Sequence, residues 1–193
     1  MRKLIVSNLI SLDGYASGPG GDVMALPFDT TFSDYNLELM EAADILVSGA
    51  VTHRGMLSYW PSVADDPAQP EVEQAISRRH RELEHLVVSD SLIAEETEPW
   101  RENTRIVRRD EARDAIAEAK EGEGGTLLVF GSMTTWNGLL AAGLVDELHI
   151  MVGAGLLVDG VPAFSVRPPG TMRLTGARQL GDSNIALLIY SLA

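Results

Sequence analysis

The sequence predicts an α/β fold, a mostly parallel sheet with helices on both faces and a C-terminal antiparallel β-hairpin. Three observations lead there. The apolar runs Ile45-Leu46-Val47, Leu86-Val87-Val88 and Leu127-Leu128-Val129-Phe130 are continuous, as in strands covered on both faces. Stretches with apolar residues at helical spacing separate them. The last two strand-like runs, Met172 to Leu180 and Ile185 to Leu192, are joined by Gly181-Asp182-Ser183-Asn184, a hairpin turn.

Taken in order, Lys3 to Ile10 is the first strand, closed by Ser11-Leu12-Asp13-Gly14. Tyr15 to Asp22 follows as a glycine-rich loop, either a plain connection or a lid. Ser33 is the expected N-cap of a helix with Tyr35, Leu39, Met40 and Ala43 on its apolar face, which puts Asp34 in the first turn. The short strand ending in Ser48-Gly49 leads to a helix with Thr52, Arg54 and Met56, then the aromatic corner Tyr59-Trp60-Pro61. Pro70 opens the next helix, with Glu71 and Glu73 early and Arg78, Arg79 and Arg81 late, complementing its dipole. Arg105 to Val107 is a strand. Asp110 is the expected cap of a helix that ends at Gly122. The whole of residues 1–193 reads as a single domain, without internal repeats.

Composition narrows the function. The chain of 193 residues carries a net charge of −13, with a pI near 4.6. That argues against nucleic acid and against an anionic membrane surface. No apolar run has the length of a membrane span. With no cysteine there is neither a disulfide framework nor a thiolate nucleophile. His53, His80, His85 and His149 lack metal-ligand spacing, so no metal is expected. The expected location is the cytoplasm. GxxxxGK, GxSxG and HExxH are absent, and Gly153-Ala154-Gly155 lacks the third dinucleotide glycine.

The most informative stretch is Thr126 to Leu148. A strand ends at Gly131, a helix begins after Ser132, and Gly143 stops it before the next strand. Free N–H groups at such a helix start bind a phosphate without a basic side chain, and Ser132, Thr134 and Thr135 add hydroxyls. The plainer reading is a turn and a cap. Asp13, at the end of a strand, is either a functional carboxylate or turn chemistry. Asp34 is either a carboxylate at the mouth of a pocket lined by Phe28 or a residue placed by the helix dipole.

The ordered turns resemble the dihydrofolate-reductase-like proteins. The nearest branch holds the C-terminal reductase domain of the bacterial bifunctional riboflavin-biosynthesis deaminase–reductase. The resemblance rests on Ser11-Leu12-Asp13-Gly14, Gly49-Ala50-Val51-Thr52, Tyr59-Trp60-Pro61, Val88-Ser89-Asp90-Ser91-Leu92, Gly131-Ser132 and Gly160 to Phe164. Its most specific piece is Gly143-Leu144-Val145-Asp146-Glu147-Leu148.

The resemblance implies an NADPH-dependent reductase acting on a pterin-like or pyrimidine-like small molecule, reduction of 5-amino-6-(5-phosphoribosylamino)uracil included. NADH or a flavin is the alternative ligand, and a homodimer is implied. By position, Gly131, Ser132, Met133, Thr134 and Thr135 would hold the pyrophosphate, Gly49 and Thr52 a second phosphate-binding helix start, and Ser89 the adenosine ribose. Asp13, Phe28, Asp34 and Trp60 would border nicotinamide and substrate, with Asp13 or Asp34 delivering the proton. Three positions depart from the pattern. Ala50 stands where Arg is common, Asp90 where a basic or neutral residue is common, and the proline usual near Gly153 is missing. Arg54, one helical turn beyond Ala50, could supply the missing guanidinium. The alternative function is a non-catalytic nucleotide- or flavin-binding protein on the same fold.

Overall fold

The chain is described by a computed structural model covering residues 1–193. Its strands are β1 (Leu4–Ile10), β2 (Tyr15–Ser17), β3 (Ala43–Gly49), β4 (Glu84–Val88), β5 (Thr104–Val107), β6 (Thr126–Phe130), β7 (Glu147–Val152), β8 (Val161–Pro162), β9 (Met172–Gln179) and β10 (Ala186–Leu192). Its α-helices are α1 (Thr30–Glu41), α2 (Ala50–Tyr59), α3 (Glu71–Glu82), α4 (Ala112–Glu121) and α5 (Met133–Ala141). Eight strands form one sheet in the order β5-β4-β3-β6-β1-β7-β10-β9. The first six run parallel, and the C-terminal hairpin adds the antiparallel edge. The expected fold class is thus observed. No helix is long and apolar enough to cross a membrane.

All seven residues of β1 are buried, as its continuous apolar run requires at the centre of the sheet. Alternation along the strands divides the core. Leu4, Val6, Val47, Val129 and Leu148 face α4 and α5 through Ile116, Trp136 and Leu140. Ile5, Leu9, Leu46, Leu128 and Met151 face α1 and α3 through Leu39, Met40 and Ile76. The Gly143-to-Leu148 run closes the opposite end of the sheet from the helix starts. Gly143 stands at φ 69, and the Asp146 carboxylate accepts the Leu4 N–H at 2.7 Å and pairs with the largely buried Lys120 at 2.6 Å.

Four local expectations change. Ala43, expected on the apolar face of the first helix, opens β3 instead, because α1 ends at Glu41. The cap of α1 is Asp29, whose carboxylate accepts the N–H groups of Thr31 and Phe32. Ser33 lies inside the helix, buried, with its hydroxyl on Glu73. Asp34 is therefore in the second turn, not the first. The residue at the N-cap of α4 is Glu111, not Asp110, and it makes no side-chain cap bond. Finally, part of the glycine-rich loop is strand: β2 pairs with β8 and binds the loop after β1 to the loop after β7.

Candidate functional site

Two helix N-termini meet over neighbouring strands. β3 and β6 pair in parallel, so α2 and α5 begin side by side. Gly131 and Ser132 are both left-handed, at φ 53, and this double step turns the chain sharply into α5. In that conformation Ser132 makes no cap bond to its own helix. Its hydroxyl instead accepts the Gly49 N–H at 2.7 Å, tying one helix start to the other. A Cβ on Gly49 would stand 2.8 Å from Thr135 Oγ1, so only glycine lets the two starts approach this closely. Over Gly131 the nearest side chain is Thr52.

Gly49, Thr52, Gly131, Ser132 and Thr135 thus gather at one point, with Met133 and Thr134 beside them. The first helical hydrogen bond of α5 runs from Trp136 N–H to Ser132 C=O, which leaves the N–H groups of Met133, Thr134 and Thr135 without a helical acceptor. The Met133 sulfur is turned inward, accepting from Trp136 Nε1 at 3.2 Å, so this residue offers only backbone. Two dipoles present their positive ends here, and no lysine or arginine takes part. A Cβ at Gly49 would crowd Thr135 and Ser132 where these two helix starts converge; free N–H groups arranged in this way are able to hold an anionic group such as a diphosphate.

On the β4 side, Ser89 is buried and its hydroxyl accepts the N–H groups of Ser91 and Leu92. The exposed group there is Asp90. Its carboxylate accepts the Arg109 N–H at 3.1 Å and lies 3.5 Å from the Arg109 guanidinium and 3.9 Å from that of Arg108. Arg54 is held by Glu96, whose Oε1 accepts from Nη2 at 2.8 Å and from Nε at 3.1 Å. The free-standing arginine expected on α2 is thus engaged elsewhere. Arg108 and Arg109, which the sequence reading passed over, stand beside Asp90. Their signal was two basic residues directly after the predicted strand ending at Val107.

At the other end, Asp13 bridges two loops. Its carboxylate accepts from Ser11 Oγ at 2.6 Å and from the N–H groups of Leu157 and Val158 at 3.1 and 2.8 Å. The Ser11 hydroxyl, with help from the two backbone donors, holds its pKa below the usual carboxylate value. Asp13 thus clamps the loop after β1 to the loop after β7. Phe28 is partly exposed and meets Phe32 edge-on at 4.9 Å. Beside it, Pro27 packs into the space left by Gly153 and Gly155, which accounts for these glycines without a phosphate. Asp34 is exposed and forms no ion pair. Trp60 does not join this group: its ring lies 5.3 Å from that of His80 and 4.9 Å from that of Tyr59.

Between α1 and the start of β7 runs a polar chain that sequence reasoning missed. The Tyr35 hydroxyl lies 2.7 Å from His149 Nδ1, His149 Nε2 lies 3.0 Å from Glu147, and Lys3 donates to Glu147 at 2.7 Å. Glu147 can only accept when ionised, so Nε2 carries the proton and Tyr35 donates to Nδ1. Burial pushes the Tyr35 pKa up to about 12. Burial also lowers that of His149, although Glu147 pulls it upward. The chain is neutral at its buried end, and it braces α1 against β7.

Residues 2–186 match the family model of the RibD C-terminal domain. The chain belongs to this family. Membership supports a reductase-type function. Among solved structures, a Shewanella sp. PV-4 protein assigned to riboflavin biosynthesis is similar at 23% identity and a TM-score of 0.68, with 99% of each chain covered. A Thermotoga maritima diaminohydroxyphosphoribosylaminopyrimidine deaminase/5-amino-6-(5-phosphoribosylamino)uracil reductase is similar at 13% identity and a TM-score of 0.65. This chain spans 57% of its length. Enterococcus faecalis dihydrofolate reductase, solved with NADP(H) and RAB-propyl, is similar at 14% identity and a TM-score of 0.62, with 98% and 96% coverage. These likenesses show the fold that the RibD C-terminal domain shares with dihydrofolate reductase. No curated protein sequence matches the chain.

Proposed function

We propose that this chain is a reductase of the RibD C-terminal domain family that uses a nicotinamide dinucleotide, NADPH being the expected coenzyme, to reduce a pterin-like or pyrimidine-like ring. One domain spanning residues 1–193 would carry both ligands. The observation that carries the reading is the convergence of α2 and α5 through Gly49, Ser132 and Thr135. It makes an anion cradle from backbone alone, in a chain of net charge −13. The coenzyme, when bound, supplies the hydride.

The residues of the chain then have separate tasks. The N–H groups of Met133 to Thr135 and the start of α2 hold the pyrophosphate, and Gly131 admits its close approach. β4 lies on one side of the β3–β6 pair and β1 on the other, so the two ends of an extended dinucleotide fall over different strands. Neighbouring strands are about 4.8 Å apart, which places Asp90 and β1 about 14 Å from each other across the strand tops. Arg108 and Arg109 are positioned for a 2′-phosphate, with Asp90 keeping them there. Phe28 and the loop clamped by Asp13 wall the substrate ring against β1, which is the positioning that hydride transfer needs. Asp34, exposed and unpaired, is the carboxylate left to relay a proton from water. A homodimer through the β9 edge, where Met172 and Leu174 are exposed, completes the proposal; a monomer at micromolar concentration in sedimentation velocity would remove it.

A fluorescence titration with NADPH, NADH and FMN tests the assignment. Saturable NADPH binding is expected. Binding of FMN without either dinucleotide would select the alternative, a nucleotide- or flavin-binding protein without turnover. That alternative is favoured by one observation, the engagement of Asp13 by three donors.

A further inference from the structure

The charge of the cleft is divided along its length. No lysine or arginine occurs between Lys3 and Arg54, nor between Lys120 and Arg167. Those two segments supply the strand ends of β1, β3, β6 and β7 and the loops that flank the substrate end. The segment carrying Arg167 runs on to Pro169, which packs against Gly143 at the far end of the sheet. Arg178 reaches α1 from β9, but its guanidinium lies over the Tyr35 ring, 5.5 Å from the centroid.

Several backbone donors at this end are already taken by carboxylates. Asp29 accepts the first N–H groups of α1, so the helix start nearest the substrate is capped by its own carboxylate. Asp13 accepts from Leu157 and Val158, Asp22 from Met24, and Asp159 from Gly160. An anion placed here would find acids where it needs donors, and repulsion in place of attraction. The same loops expose apolar side chains. Leu12, Met24, Phe28, Leu156, Val158 and Phe164 are all solvent-facing, Met24 and Val158 at 77% and 79%. Scattered apolar residues on a surface are ordinary, but these sit on loops joined by β2–β8 pairing and by the Asp13 clamp.

We propose that the substrate end takes an uncharged, apolar-faced heterocycle without a phosphate group, unlike the phosphoribosyl compound named for the Thermotoga maritima relative. This rests on the reductase reading above and adds the substrate's charge class to it.

Calorimetric titration of the NADP⁺-saturated protein with two matched pairs reads that preference directly. The pairs are riboflavin against FMN, and 5-amino-6-ribosylaminouracil against its 5′-phosphate. The neutral member of at least one pair is expected to bind about tenfold or more tightly than its ester. Leu156→Lys, at an exposed position, places one cation on the loop and is expected to narrow the gap by strengthening the ester. Ester binding equal to or tighter than neutral binding, or no binding by either neutral compound, would overturn the proposal. Titrating NADPH and NADH into the coenzyme-free protein separates the two ideas. Dinucleotide binding together with a preference for esters removes only the substrate class. Failure of both dinucleotides removes the reductase reading and this inference with it.

Discussion

Lowering the pH from 7 to 5 is expected to destabilise the protein through a buried stack of aromatic rings beneath α2. His53, His80 and His85 are each at most 1% exposed, and Trp100 joins them. The His85 and Trp100 rings lie 4.6 Å apart, His80 and Trp100 5.0 Å, and His53 and His85 5.4 Å. Both His53 nitrogens and the Nδ1 atoms of His80 and His85 have no hydrogen-bond partner. Burial, then the neighbouring His85, brings the His53 pKa down from 6.5 to about 4. Burial lowers His80 and His85 as well. The folded state therefore resists protons that the unfolded chain accepts. Stability is complete above pH 6.5 and falls as the pH drops toward 4. For His53 alone, linkage gives a loss of about 2 kcal/mol at pH 5 and about 3 kcal/mol below pH 4. His53 is the one buried residue of α2, so the loss bears on the helix that starts at Gly49. Urea unfolding of the wild type and of His53→Leu at both pH values, followed by tryptophan fluorescence, would measure it. The variant replaces two unpartnered nitrogens with carbon, so its stability at pH 7 should stay within about 1.5 kcal/mol of wild type. Its loss between pH 7 and 5 should be smaller by about 2 kcal/mol. An identical pH dependence in the two proteins would show that His53 is not held neutral by burial, and the argument would fail.

Gly131→Val forces a β-branched residue to φ 53 and is expected to cost about 1–3 kcal/mol of stability and at least about tenfold in NADPH affinity, read by urea unfolding and by titration. Asp13→Asn leaves the clamp short of acceptor strength; it should loosen the Leu157–Val158 loop, seen as faster amide exchange there, without moving the pH profile of turnover, and a shifted acid limb would give Asp13 the proton role after all. Arg108→Ala with Arg109→Ala is expected to weaken NADPH about tenfold or more and NADH little, while Arg54→Ala should leave the ratio of the two affinities unchanged; the reverse result would return the 2′-phosphate to α2. Asp146→Asn takes the counter-charge from the Lys120 ammonium, which keeps its bond to the Leu144 carbonyl, and about 1–2 kcal/mol of stability should be lost in chemical denaturation.

What could be read in the residues depended on whether the physics was local. The strands were legible because a strand covered on both faces needs an unbroken apolar run, and β3, β4 and β6 have one. The glycine at 131 was legible because a tight strand-to-helix turn is a usual place for a positive φ, which glycine takes without strain. The cap of α1 was not, since Ser33 and Asp29 are equally good caps in isolation. The choice was made by Glu73, on α3, which draws the Ser33 hydroxyl into the core. Trp60 and the three histidines show the same limit more sharply. With Trp100 they come from α2, α3, β4 and the adjoining turns, and no spacing along the chain announces that the five rings will meet. The Asp90 pairing is tertiary too, formed when β5 lays Arg108 and Arg109 beside the end of β4. The most specific family signature, Gly143 to Leu148, has its explanation at the end of the sheet away from the starts of α2 and α5, in a carboxylate that joins β1, β7 and α4. It therefore identifies the scaffold and is silent on the substrate. On the proposed reading, substrate choice falls to the loops after β1 and β7, where this chain places acids and apolar side chains and no cation.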